Sequence, residues 1–156
     1  MPLFSYRRRL ADLSEQMILA LAISAEEEDA QIYRSFATQL RADFPASAAV
    51  FDGMAAEEDS HRAALIDLHQ TRFGATIPLV RREHVAGFPT RRPIWLMQNL
   101  SLPRMRAEAQ VMEQAAERFY TAAAGHCRDA DTRKLLGDLA AAEAQHQHSA
   151  TTLEAA

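Results

Sequence analysis

The sequence predicts an all-α fold: a four-helix bundle with one long connection between its second and third helices. Three observations carry this. Glycine and proline are scarce, at 5 and 6 of 156 residues, and runs such as "YTAAAG" and "LAAAEA" are rich in the best helix former. Four segments repeat apolar residues at steps of three and four, the spacing of one helix face. Between the second and third segments lie about twenty residues without that period, more than an up-and-down hairpin needs and enough for a crossover. The length suits a single domain covering 1–156. Helices are expected at about 13–42, 46–72, 95–124 and 130–154.

In the first segment the stripe Leu19, Ile23, Glu26, Ala30, Tyr33, Ala37, Leu40 runs along one face, and Glu26 interrupts it. Asp12 or Ser14 can cap its start, and "DFPASA" ends it. Pro45 then opens the second segment, with Asp43 or Ser47 as candidate caps. Its stripe is Phe51, Met54, Glu58, His61, Leu65 and Leu68, closed by Gly74 and Pro78. The third segment occupies about 103–124, with a start as early as Trp95. It aligns Ala109, Glu113, Ala116 or Glu117, Tyr120 and Ala124 before Gly125. "RDADTR" supplies capping residues for the fourth, which carries Leu135, Leu139, Glu143, His146, Ala150 and Leu153.

Composition narrows the function classes. Net charge is -4 and Lys134 is the only lysine, so no basic excess speaks for nucleic acid. The run Arg7, Arg8, Arg9 is read as a solvated terminus. With Cys127 as the sole cysteine, neither an intrachain disulfide framework nor a thiolate metal cluster can form. Nothing resembles a signal peptide, and no stretch reaches the length of an apolar membrane span. A cytoplasmic setting is the expectation.

The two halves repeat one pattern. A helix carries an inward Glu seven residues before a Tyr, and the next helix carries an inward Glu-x-x-His. Glu26 and Tyr33 with Glu58 and His61 form the first set; Glu113 and Tyr120 with Glu143 and His146 form the second. Residues three apart share a helix face, so one carboxylate and one imidazole can reach the same cation while carboxylates from other helices join them. Four buried carboxylates would repel each other in a dry core, and two divalent cations remove that penalty. An oxygen-rich set favours iron or manganese, and zinc fits these ligand types as well. Glu26 is preferred to Glu27 and Glu28 because its distance to Tyr33 matches that of Glu113 to Tyr120. Glu57 is read as an outward acid or as an acceptor behind a ligand. Tyr33 and Tyr120 are the candidate catalytic side chains, with hydrogen bonds to ligand carboxylates preferred over a redox role.

These motifs carry a family resemblance. "LALAISAEEEDAQIYRSFA", "FDGMAAEEDSHRAAL", "RFGATIPLVRREHVAGF", "VMEQAAERFYTAAA" and "LLGDLAAAEAQHQHSATTL" together span most of the chain. The sequence resembles the ferritin-like domain of the rubrerythrin-related group. It is most similar to the cytosolic domain of membrane-bound ferritins, which join such a domain to a membrane region of the vacuolar-iron-transporter type. The resemblance implies a ferritin-like bundle, a homodimer, and a pair of iron ions held by Glu26, Glu58, His61, Glu113, Glu143 and His146. It also implies ferrous iron with dioxygen or peroxide as reactants, and iron capture, sensing or delivery to an exporter at the cytoplasmic face of the inner membrane. Rubrerythrins carry an extra carboxylate at the position of Ala116; Glu117, one place on, is the candidate replacement. Their rubredoxin-type iron domain cannot be built from one cysteine, and the transporter region is not within this chain.

Other features have plainer readings. His69 and His148 are expected to face solvent, and His84 lies in the connection without an evident partner. His126 and Cys127 are read as a helix end. Arg81, Arg82, Arg91 and Arg92 near Phe88 and Trp95 make either a charged edge to the crossover or a dimer or membrane contact. Two functional classes stay open: an oxidising di-iron centre, or a non-catalytic iron- or manganese-sensing module that controls a partner or a membrane region.

Overall fold

The computed structural model describes residues 8–86 and 99–150. Four helices make up most of it: α1 Glu15–Leu40, α2 Pro45–Phe73, α3 Leu102–His126 and α4 Ala130–Ala150. Helices α1 and α2 pack as one hairpin and α3 and α4 as another. The expected connection between them contains a short 3-10 turn, Arg82–His84, and a two-residue strand β2, Val85–Ala86, which pairs in parallel with β1, Arg8–Arg9. Arg7, Phe88, Arg91, Arg92, Trp95 and the expected last residues of the fourth helix, Leu153 among them, lie outside the described residues, as does the side chain of His148.

Helix ends follow local chemistry. The Ser14 hydroxyl accepts from the Met17 N–H, and Ser101 accepts from Arg104 N–H, so each satisfies one otherwise orphaned donor. Helix α3 therefore starts at Leu102, with Ser101 before it; the earlier start considered near Trp95 lies outside the described residues. Asp129 receives both the backbone N–H and the hydroxyl of Thr132 and caps α4. Neither Asp43 nor Ser47 caps α2: Phe44 holds the cap position without a side-chain bond, Pro45 sits in the first turn, and Ser47 is buried inside the helix. Proline at the first helical position leaves one fewer unpaired N–H at that end. At the other end Gly74 adopts φ 92°, ψ -178°, a conformation open essentially to glycine alone, and its N–H bonds back to Gln70.

The core comes in two apolar blocks. One contains Leu19, Leu21, Leu65, Phe119, Leu136 and Leu139; the other contains Ile32, Phe36, Phe51, Met54, Met105 and Met112. In α1, α2 and α3 the first block and the second block occupy opposite ends, and a short polar stretch separates them. His69 corrects the expectation of a solvent-facing ring. It is fully buried, its Nδ1–H donates to the Gly74 carbonyl at 3.0 Å, and its Nε2 lies 3.4 Å from the Gln16 amide. The ring thus satisfies a helix-end carbonyl that solvent would otherwise take. His84 takes the Arg81 N–H on its Nδ1. No helix among the described residues is long and apolar enough to cross a membrane.

Candidate metal centre

The polar stretch between the two apolar blocks is where the repeated motif lands. Helix α1 brings Glu26, α2 brings Glu58 and His61, α3 brings Glu113, and α4 brings Glu143 and His146. All four glutamates and His146 are buried, and the His61 side chain is 13% exposed. Helical period explains the placement: each Glu lies on the stripe that carries its helix's apolar contacts, so packing the stripe inward takes the carboxylate with it.

The six side chains form two overlapping groups. Glu26, Glu58, His61 and Glu143 make one, and Glu58, Glu113, Glu143 and His146 make the other; within each, one ligand-type atom per residue lies within 4.8 Å of the rest. Glu58 and Glu143 belong to both. His61 Nδ1 sits 3.7 Å from Glu26 Oε2 and 3.6 Å from Glu143 Oε1. His146 Nδ1 sits 3.1 Å from Glu58 Oε1, 3.1 Å from Glu113 Oε2 and 3.4 Å from Glu143 Oε2. The two rings stack at 5.7 Å between centroids. Glu26 Oε2, Glu58 Oε1, Glu143 Oε1 and His61 Nδ1 are buried and make no hydrogen bond. Orphaned oxygens converging in a dry core are costly unless a cation takes them up, and an oxygen-rich set with two imidazoles suits hard or borderline divalent ions. The residues present therefore fit a pair of such ions.

Electrostatics say what stands in when no ion is bound. Burial drives Glu113 up to about 9, with Glu143 adding to the rise and His146 opposing it. Burial, then the adjacent Glu26, likewise lifts Glu58 well above the usual carboxylate range. Glu143 goes the other way: burial would raise it, but contacts with Glu113, His146 and His61 outweigh that and hold it below the ordinary value. Burial opposes the charging of His61, yet Glu143 and Glu26 beside it bring it up to about 9. His146 is raised too, with Glu113, Glu143 and Glu58 outweighing burial. The metal-free cluster holds protons where cations would otherwise sit.

Around this set, the tyrosines cross between hairpins. The Tyr33 hydroxyl on α1 donates to Glu113 Oε1 on α3, and the Tyr120 hydroxyl on α3 donates to Glu26 Oε1 on α1. Both rings are buried, and burial followed by the nearby carboxylates keeps both phenols protonated. That is the carboxylate-bonding position expected for them. Glu117 is a different matter. It enters neither group; its carboxylate takes a hydrogen bond from the Gln147 amide at 2.5 Å. Four residues on from Glu113 a helix has turned about 40° past a full circle, which aims this side chain at the outer side of α4. Glu28 is partly exposed and lies 3.5 Å from Arg82, so Glu26 is the acid of its run that faces inward.

Of two further contacts, one falls at a position read as an outward acid or an acceptor behind a ligand, and the other escaped sequence reasoning. Glu57, exposed at its carboxylate, accepts from His146 Nε2 across the α2–α4 boundary. "EEDSH" and "AEAQH" differ at three positions, and at the first of them Ala142 stands in the place of Glu57. Arg82 is not a charged edge to the connection. It is 3% exposed, donates to Asp29 Oδ1 at 2.5 Å and to the Ala25 carbonyl at 3.1 Å, and so grips the turn of α1 that carries Glu26. Asp29, three residues after Glu26 on the same face, was the available sign.

Comparison with known proteins agrees with this geometry. A hypothetical protein from Pyrococcus furiosus superposes with a TM-score of 0.72 at 22% identity, covering 92% of each chain. A protein from Thermotoga maritima, described as a ferritin-like diiron-carboxylate protein, gives 0.70 at 16% identity over 94% of each chain. At these identities the likeness establishes the fold, a ferritin-like four-helix bundle. The comparison with curated protein sequences gave no match. The rubrerythrin family profile matches residues 17–154, which span all four helices and the six clustered side chains; the chain belongs to the rubrerythrin family.

Proposed function

We propose that this domain binds a pair of ferrous ions between Glu26, Glu58, His61, Glu113, Glu143 and His146 and oxidises them with dioxygen or peroxide. The observation that carries this reading is the convergence of orphaned buried atoms, Glu26 Oε2, Glu58 Oε1, Glu143 Oε1 and His61 Nδ1. Glu58 and Glu143, which belong to both groups, would serve both ions, whereas Glu26 and Glu113 would each hold one, as would His61 and His146. A ferrous pair supplies two electrons to the oxidant. The chain's own work is to neutralise charge, fix the carboxylates through Tyr33 and Tyr120, and shield the centre with the apolar blocks on either side. The one cysteine within these residues cannot hold a rubredoxin-type iron, so electrons for any reductive turnover would come from outside this domain. Manganese and zinc are the alternative occupants.

The likeness of the quoted motifs to membrane-bound ferritins supports a role in iron capture, sensing or delivery to an exporter at the cytoplasmic face of a membrane, in a homodimer. A regulatory module without turnover is the second reading. The spread of the six side chains over all four helices supports it, because cation uptake would then couple to the packing of the whole bundle.

Anaerobic loading with ferrous iron followed by metal analysis is the first test. About two ions per chain are expected for the parent and fewer than about one for Glu58→Ala and Glu143→Ala. Absence of stoichiometric uptake by the parent would reject both readings. Stopped-flow absorbance after mixing with oxygen or peroxide then separates them: oxidation faster than that of free iron supports the oxidising centre, and tight binding without acceleration supports the regulator.

A further inference from the structure

We propose that Glu57 is a positioning residue that makes the two cation positions unequal, by holding the His146 ring from its solvent side. The inference rests on the dinuclear reading above and adds a residue which that reading does not use. The Glu57 side chain is 60% exposed, yet it accepts from Nε2 of a ring that is 3% exposed. An ionised carboxylate can only accept, so the bond places a proton on Nε2. It leaves Nδ1, which already faces Glu58, Glu113 and Glu143, as the nitrogen for a cation.

The internal repeat supplies a built-in control. Glu57 directly precedes Glu58, and Ala142 directly precedes Glu143. Exchanging the two halves converts the contact between position 57 and His146 into one between position 142 and His61. A methyl group cannot make it. His61 accordingly is 13% exposed, and among the described residues no side chain accepts from its outer nitrogen. An acceptor behind a ligating imidazole fixes its tautomer and orientation and raises its basicity; losing one weakens metal affinity about 10- to 100-fold. The position served by His146 is the tighter one, and the position served by His61 is the one that exchanges.

Manganese(II) titration, following the free ion by electron paramagnetic resonance, tests this on the parent, Glu57→Ala, Glu57→Gln and Ala142→Glu. The parent should show two positions of different affinity. Glu57→Ala should weaken the tighter position alone by about 10- to 100-fold, and Glu57→Gln, whose amide oxygen still accepts, should recover most of the loss. Ala142→Glu should strengthen the weaker position. Long-range proton–nitrogen spectra of the zinc-loaded protein give a readout independent of affinity: the His146 Nε2 proton should exchange slowly in the parent and in Glu57→Gln, and quickly in Glu57→Ala. If the parent takes up two manganese ions but Glu57→Ala leaves both affinities unchanged, or lowers both alike, the role of Glu57 is overturned and the dinuclear reading stands. If the parent takes up no second ion, the dinuclear reading fails and the assignment of Glu57 fails with it.

Discussion

The hydroxyls of Tyr33 and Tyr120 each serve a carboxylate on the opposite hairpin. Removing one leaves a buried oxygen without its donor, which costs about 1–2 kcal/mol. Tyr33→Phe should therefore lower the melting temperature of the metal-free protein by about 2–4 °C per kcal/mol while still binding metal; calorimetry and metal analysis of the same sample check both halves. Individual side chains were unevenly legible. Glu26 could be chosen over its two neighbours because the interval to Tyr33 recurs in the second half, and a repeat is a strong filter. Glu117 was misplaced since the sequence shows only that two positions share a face within a turn, not which way a long side chain leans. The bond between Glu57 and His146 depends on how closely α2 and α4 approach, which no single-helix pattern encodes.

Arg82 shows what the long connection does for the helices it joins. Its guanidinium, buried against Asp29 and the Ala25 carbonyl, fastens the crossover to the middle of α1. Burial works against the charge of Arg82, and Asp29 and Glu28 more than make up for it. Arg82→Ala would take a guanidinium away from the buried Asp29 carboxylate and should destabilise the fold by about 3–5 kcal/mol. The double variant Arg82→Met with Asp29→Leu, which removes both charges, should recover most of that loss. Denaturant titration of the three proteins decides it; a double variant as weak as the single one would show that the ion pair is not what matters. Helix existence and order were readable from apolar periodicity, whereas ends were not: α2 starts without a side-chain cap, and the start of α3 is set by Ser101, inside a stretch whose periodicity also allowed an earlier beginning. The connection looked irregular in sequence because its buried anchor is a charged residue, which reads as surface.

For the molecule as a unit, proton and metal binding must compete. Glu113 rises from an ordinary 4.5 to about 9, and His61 from 6.5 to about 9, so between those limits the folded metal-free chain holds more protons than the unfolded one. Stability from His61 is complete below its unfolded value and is lost as pH climbs through about 9; the raised Glu113 acts in the same direction from 4.5 upward. The lowered Glu143 works oppositely, only in acid below 4.5. The melting temperature in chelator should thus fall from pH 5 to pH 9, and the gap between manganese-loaded and chelated protein should widen, because metal uptake displaces protons. A gap that stays flat or narrows across that range would contradict the linkage. The fold class was legible because four apolar stripes and a long crossover leave few all-helical arrangements; the place of the carboxylate and imidazole cluster within it followed from the interruption of those stripes. What no stripe reveals is that the apolar side chains gather into separate blocks on either side of that cluster. Among the described residues one block ties all four helices and the other ties α1, α2 and α3, so a change at the waist between them should loosen the far half of α4 before it parts the other three.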